Sequence, residues 1–126
     1  MRLLAVSLAL CCSFTVSAQE IRCGWLENPS PANLWLIDRE GSWEISIQGG
    51  PNYLDDKSLD LVFEAMSHQS DFVRTNNSYG FSCACLTVDT DPQTRQIKAV
   101  YQAKQLGLKQ CLEDISITPH IPLRFK

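Results

Sequence analysis

The sequence predicts a mainly β fold: a small antiparallel sandwich or barrel of hairpins, stapled by two disulfides, with room for one short helix. Three observations lead there. Short runs of alternating polar and apolar residues, rich in Trp, Ile, Val, Thr and Tyr, recur between clusters of turn residues. Four cysteines, Cys23, Cys83, Cys85 and Cys111, follow the first eighteen residues. Those eighteen have the layout of a secretory signal peptide, which sends the cysteines to an oxidising compartment.

Arg2 is a minimal positive n-region, and Leu3 to Phe14 form a mostly apolar h-region. Val16-Ser17-Ala18 places small residues where a signal peptidase reads. The run is too short for a stable membrane span. Cleavage after Ala18 leaves residues 19–126 as a single disulfide-stapled β-rich domain. Cys11 and Cys12 leave with the signal, and Leu10 is not the small residue that lipidation of Cys11 needs. Loss of Arg2 leaves 10 basic and 14 acidic residues, a net charge of −4. Such a weakly acidic domain is a poor partner for nucleic acid or anionic lipid. No later run is long and apolar enough to span a bilayer.

From Cys23 to Asn33, Asn28-Pro29 and Ser30-Pro31 place two prolines close together, which predicts an extended or turning segment outside regular structure. A hairpin follows, with Leu34 to Ile37, the turn Asp38-Arg39-Glu40-Gly41, and Ser42 to Ile47. Asp suits the first turn position, and Gly41 can take the left-handed conformation that closes a three-residue loop. That loop sets Ile37 opposite Trp43 and Trp35 opposite Ile45. Trp35, Ile37, Trp43, Ile45 and Ile47 then share the core face, with Glu44 and Ser46 on the other.

Gln48-Gly49-Gly50-Pro51 breaks the strand. Residues 55–68 fit two patterns. Leu59, Val62, Phe63 and Met66 mark one face of a helix capped by Asp55 or Asp56; Leu59, Leu61, Phe63 and Ala65 mark one face of a strand. Phe72 to Thr75 reads as a short strand and Asn76-Asn77-Ser78 as a turn. Tyr79 to Thr90 is a long strand, Asp91-Pro92-Gln93-Thr94 a type I turn, and Arg95 to Gln102 the returning strand. A four-residue loop would pair Val88 with Ile97, Leu86 with Ala99 and Ala84 with Tyr101 on an apolar face. Cys83 and Cys85 would then share the opposite face. After Gly107 the tail, with Pro119 and Pro122, reads as irregular.

The four cysteines allow three pairings. Cys83 with Cys85 is geometrically poor, because same-face neighbours on a strand lie roughly 6.5–7 Å apart at their α-carbons. Cys83 and Cys85 therefore go to Cys23 and Cys111, in either order. A zinc site on Cys83, Cys85, Cys111 and a histidine is the competing reading. Structural zinc sites use two spaced pairs, however, and only one tight pair is present. No Cys-x-x-Cys is present, which argues against a redox role, and no cofactor or metal is indicated.

No catalytic constellation stands out. His68 and His120 are the only histidines, both in polar or proline-bounded context. Asp55, Asp56 and Asp60 are carboxylates near one another, with helix capping as their plainer role. Asp89-Thr90-Asp91 lacks the Gly and distal Glu of a calcium loop. Among the aromatics, Trp35 and Trp43 belong to the predicted core. Trp25 sits beside Cys23 in the proline-rich segment, and exposed there it would anchor a partner or a glycan.

Cys23-Gly24-Trp25, Asn28-Pro29-Ser30-Pro31-Ala32-Asn33, the Trp-rich hairpin, Gln48-Gly49-Gly50, Phe72 to Asn76, Tyr79-Gly80 and Cys83-Ala84-Cys85-Leu86 occur in this order. The order resembles small bacterial secreted proteins described as domain of unknown function 4087. It covers most of the chain beyond residue 18 and departs at Asn77-Ser78, where Asn-Gly is expected. The resemblance implies a bacterial envelope or secreted location and brings no activity. The reading that follows is a periplasmic or secreted binding or inhibitor-type domain of the cell envelope, its partner an envelope protein or glycan. The alternative is a small envelope hydrolase using Asp55, Asp56 or His68.

Overall fold

The computed structural model describes residues 19–117. The expected signal peptide falls on residues 1–18 and lies outside the described residues, as do His120, Pro119 and Pro122. Six strands, β1 (Glu20–Ser30), β2 (Asn33–Asp38), β3 (Gly41–Ser46), β4 (Phe72–Asn76), β5 (Tyr79–Asp91) and β6 (Gln96–Leu106), form one sheet. Two helices accompany them, α1 (Asp56–Glu64) and α2 (Leu108–Glu113). The sheet order is β1-β2-β3-β6-β5-β4, and β1 also pairs with β5. The pairings thus run β1-β2-β3-β6-β5 and back to β1, a small barrel, with β4 laid against the start of β5. All pairings are antiparallel except β3–β6, a single parallel bridge between Glu44 and Gln96.

The segment from Cys23 to Asn33 corrects the sequence expectation. It is mostly strand, with Glu20 to Asn28 pairing with Val88 to Gly80 of β5. The prolines sit where a ladder tolerates them. Pro29 falls in the bulge between Glu27 and Ser30, where no N–H is demanded. Pro31 and Ala32 form the two-residue turn to β2, with Ala32 at φ 60°, the arrangement of a type II turn. Gly24 and Gly80 serve close approach. A Cβ on Gly24 would run into the Ile37 carbonyl, and one on Gly80 into the Val73 carbonyl. At each, the neighbouring strand's backbone passes too close to leave room for a side chain.

The β2–β3 hairpin forms in a different register. Asp38 pairs with Gly41, Leu36 with Trp43 and Trp35 with Glu44, around a two-residue turn of Arg39 and Glu40. Gly41, at φ 111°, opens β3 and is not part of the loop. One residue fewer in the loop reverses the face of β2 relative to β3. Leu34, Leu36, Trp43 and Ile45 therefore point into the barrel. Trp35 and Ile37 are half-buried on the other face, and Ile47 is exposed.

Residues 56–64 are helical, which decides the open choice. Asp55 Oδ1 accepts from the Ser58 amide at 2.8 Å, and Ser58 Oγ bonds both the amide and the carbonyl of Val100. That tether holds Val62, Ala65 and Met66 in the core, while Phe63 is half exposed. The β4–β5 turn forms on Asn77 and Ser78, with Asn77 left-handed at φ 52°.

Ala84, Leu86 and Val88 of β5 are core, as expected, and Cys83 and Cys85 share the opposite face. Their partners on β6 differ. Asp91 pairs with Gln96 and Thr90 with Ile97; bulges then shift the register, so Val88 meets Val100 and Leu86 meets Ala103. Lys98 and Tyr101 are the extra residues. The inward positions become Ile97, Val100 and Ala103, and Tyr101 is 44 % exposed.

Leu26, Leu34, Leu36, Trp43, Ile45, Ala84, Leu86, Val88, Ile97 and Val100 form the main core with α1. A second, smaller core lies on the outer face of β1 and β5: Trp25, Phe81, Cys83, Cys111 and Ile117. Where irregular chain was expected after Gly107, α2 forms and carries Cys111 onto this second core.

Candidate functional site

A cluster of charged residues gathers at one mouth of the barrel. Glu20 and Arg22 come from the start of β1, Asp38 from the end of β2, Glu40 from the turn, Trp43 from β3, and Arg95 from the β5–β6 turn. Alternation along β1 sends Arg22 to the same side as Leu26, into the barrel mouth. Its Nη1 donates to Asp38 Oδ2 and Glu40 Oε2, each at 2.8 Å, and its Nη2 to Glu20 Oε2 at 2.9 Å. Burial works to lower the Arg22 pKa. Hydrogen bonds to Asp38, Glu40 and Glu20 outweigh it, and the group ends above its ordinary value. Asp38, 3 % exposed, also accepts from the Glu40 amide and from Trp43 Nε1. Glu20 Oε1 accepts from Thr90 Oγ1.

Trp43 carries two guanidinium groups on its ring, Arg22 at 3.9 Å and Arg95 at 4.1 Å from the centroid. Such cation–π contacts are worth roughly 0.5–2 kcal/mol each, rising with desolvation. Arg95, left-handed at φ 60°, donates to the Glu40 and Ser42 carbonyls, and its own carbonyl accepts from the Glu44 amide. The network thus closes the barrel at β3–β6, where the ladder has only one bridge.

A polar cleft of about 320 Å³ opens beside this network. Its charged lining is Glu20, Asp38, Glu40 and Asp114 against Arg22 and Arg39, so carboxylates outnumber guanidinium groups. Asp114 accepts from the Ser116 hydroxyl and amide, which hold its carboxyl below the usual range. A second cleft of about 360 Å³ lies alongside, lined by all four cysteines with Gly24, Leu106, Gln110, Asp114 and Ile117. Cys23, Asp114 and Ile117 line both, so the two clefts form one trough. The disulfides are Cys23–Cys85 and Cys83–Cys111. They resolve the pairing that spacing left open.

The family model for a protein of unknown function, DUF4087, matches residues 17–118. The chain belongs to this family. The match takes in every strand, both helices and both disulfides of this DUF4087 chain. No curated protein and no solved structure matches it.

Against this geometry, Trp25 is a correction. It is fully buried, edge-on to Phe81 with ring centroids 5.4 Å apart and an interplanar angle of 86°. A residue without exposed surface offers no anchor to a partner, so the expected role of Trp25 falls. The reason is the strand that forms around it, whose outer face is covered by α2. Asp55 is the cap of α1, its carboxyl held below the usual range first by the Ser58 amide and then by the Ser58 hydroxyl. Asp56 and Asp60 are exposed on α1. His68 is exposed beyond the far end of that helix, its amide on Gln105 Oε1. A nine-residue helix separates Asp55 from His68 by roughly 14 Å. Asp89 accepts from the Tyr101 hydroxyl, raising the tyrosine pKa, and Asp91 accepts from the Gln93 and Thr94 amides. Among the described residues, no three His, Cys, Asp or Glu side chains converge as metal ligands.

Sequence reasoning missed Arg22, Asp38, Glu40 and Arg95 as a group. They come from three separate stretches, and Asp38 had a sufficient local explanation as a turn residue. The one available signal was the parity of β1, which puts charged Glu20 and Arg22 in phase with apolar Leu26.

Proposed function

We propose that this chain is a small secreted binding or inhibitor-type domain of the bacterial cell envelope, and that it binds through the trough beside its disulfides. The observation that carries the reading is the trough itself. It is concave, its floor is held by the Arg22–Asp38–Trp43 network, and Cys23 on its wall is covalently tied to β5. A surface already ordered loses little freedom on binding. Its excess of carboxylates suits a partner that presents a basic group, with Arg39 and Glu40 exposed at the rim to set specificity. The location rests on the signal-peptide layout and the two disulfides. The hydrolase reading has less support, because Asp55 and Asp56 lie at the opposite end of α1 from His68.

The test is a pull-down from bacterial envelope extract with the protein beginning at Gln19, in parallel with a Glu40→Gln/Asp114→Asn variant that removes two of the lining carboxylates. The expected result is a partner retained by the unaltered protein and lost by the variant, with the thermal midpoint little changed. Retention of the same proteins by both would remove the trough from the reading. Turnover of peptidoglycan or simple esters would replace it with the hydrolase. Mass spectrometry of periplasmic material should show a chain that starts at Gln19; an intact N-terminus would overturn the location.

A further inference from the structure

We infer that the Cys23–Cys85 disulfide is a thiol-exchange site, open to an external dithiol while the protein stays folded, and that the Cys83–Cys111 bridge is closed to the same reagent. The two bridges differ in access. Cys23 is exposed and Cys85 half-buried, whereas Cys83 and Cys111 are 1 % and 2 % exposed. Cys23 lines both halves of the trough; Cys83 and Cys111 line only the second half and present almost no surface to it. Exchange needs approach of a thiolate to a disulfide sulfur, and burial under Trp25, Phe81 and Ile117 denies that approach to the second bridge.

The setting of the exposed bridge makes its opening reversible. Cys23 and Cys85 are directly opposed in the β1–β5 ladder, with α-carbons 4.0 Å apart. Nine consecutive residue pairs, from Glu20–Val88 to Asn28–Gly80, hold the two strands together. The ladder does not depend on the sulfur bond. After reduction the two thiols therefore remain face to face, and ring closure is intramolecular. The absence of Cys-x-x-Cys does not matter here, because the strands bring together cysteines 62 positions apart.

The reaction balances with a dithiol as reductant. One thiolate of the reagent attacks Cys23 Sγ. The protein disulfide breaks, and its electron pair leaves on Cys85 Sγ, which takes up a proton. The second thiol of the reagent attacks the mixed disulfide and releases Cys23 as a thiolate, which is protonated. The reagent leaves as its own disulfide, and the protein gains two electrons and two protons.

The test uses the unaltered protein under native conditions with graded dithiothreitol. Free thiols are trapped with an alkylating agent and mapped by peptide mass spectrometry, with near-ultraviolet circular dichroism recorded alongside. Cys23 and Cys85 should be alkylated about tenfold or more faster than Cys83 and Cys111. The tryptophan signal should persist, and unalkylated protein should regain the bond when the reagent is removed. Equal rates, earlier labelling of Cys83 and Cys111, or labelling only with loss of the tryptophan signal would each overturn the inference. A Cys23→Ser/Cys85→Ser variant should consume dithiothreitol about tenfold or more slowly while folded. Consumption by the folded variant at the rate of the unaltered protein would assign the accessible bridge to Cys83–Cys111 instead.

Discussion

Trp25 and Trp43 are both fully enclosed, but by different things. Trp43 lies in the barrel under two guanidinium groups, and Trp25 lies outside it against Phe81. Removing either ring leaves a cavity that a stapled sheet cannot collapse around. Trp25→Ala and Trp43→Ala should therefore each destabilise by about 3–5 kcal/mol in denaturant unfolding. A Trp25→Ala loss under 1 kcal/mol would mean that the ring faces solvent after all. Asp38 is the second decisive residue. It is the buried partner of Arg22, and Asp38→Ala would leave that guanidinium only the more exposed Glu20 and Glu40 and orphan Trp43 Nε1. Removing one member of a buried pair typically costs about 3–5 kcal/mol. Urea unfolding of Asp38→Ala should show a loss of that size, while Glu40→Ala, whose carboxylate is half exposed, should lose far less.

Among the elements, α1 shows how a tie between two periodicities is broken. Leu59, Val62, Phe63 and Met66 fit a helix and Leu59, Leu61, Phe63 and Ala65 fit a strand. The residue that separates them is polar: Ser58 can bond the Val100 backbone only if α1 lies across β6. The cap at Asp55 then has a pH signature. Its carboxyl titrates below the ordinary value, so its contribution is full above the unfolded pKa near 4 and is lost as pH falls through the lower folded value. Asp91 and Asp114 are depressed in the same direction by their own turn hydrogen bonds. Thermal midpoints should hold steady from neutral pH and drop below about pH 4. An Asp55→Ala variant should melt below the unaltered protein at pH 7, with the gap narrowing as pH falls below about 4. A gap that does not change with pH would show that the carboxylate charge is not what caps the helix. The β6 strand carries the opposite lesson. Its two bulges turn an expected period of two into inward residues every third position, and nothing in Arg95 to Gln102 announces them.

At the scale of the whole molecule, two cores share one sheet, and the disulfides bind the outer one to it. Cys23–Cys85 closes a separation of 62 residues and Cys83–Cys111 one of 28. By loop-closure entropy these contribute about 4 and about 3.5 kcal/mol. Against a typical total of roughly 5–15 kcal/mol, either bridge alone leaves a folded protein. Paired serine substitution of each bridge should lower stability by those amounts in guanidinium unfolding. The Cys83–Cys111 pair should also loosen α2, read as faster amide exchange over residues 108–113. Equal exchange there in both variants would show that α2 is held by packing alone.

The sequence by itself determined the β class, the approximate places of β2 to β6 and of the turns that join them in hairpins, and the exclusion of a Cys83–Cys85 bond. Each of these rests on interactions within a few residues, where side-chain period and backbone preference act directly. Tertiary structure alone decided the strand around Pro29 and Pro31, the register of Trp35 against Trp43, the burial of Trp25, and the gathering of Arg22, Asp38, Glu40 and Arg95. Those depend on which strand lies next to which. Prolines are harmless at a bulge, a single residue of loop length exchanges the two faces of a hairpin, and a charged residue finds its counter-ion only when the barrel closes. No local pattern encodes those distances, because the partners are brought together by packing between segments far apart in the chain.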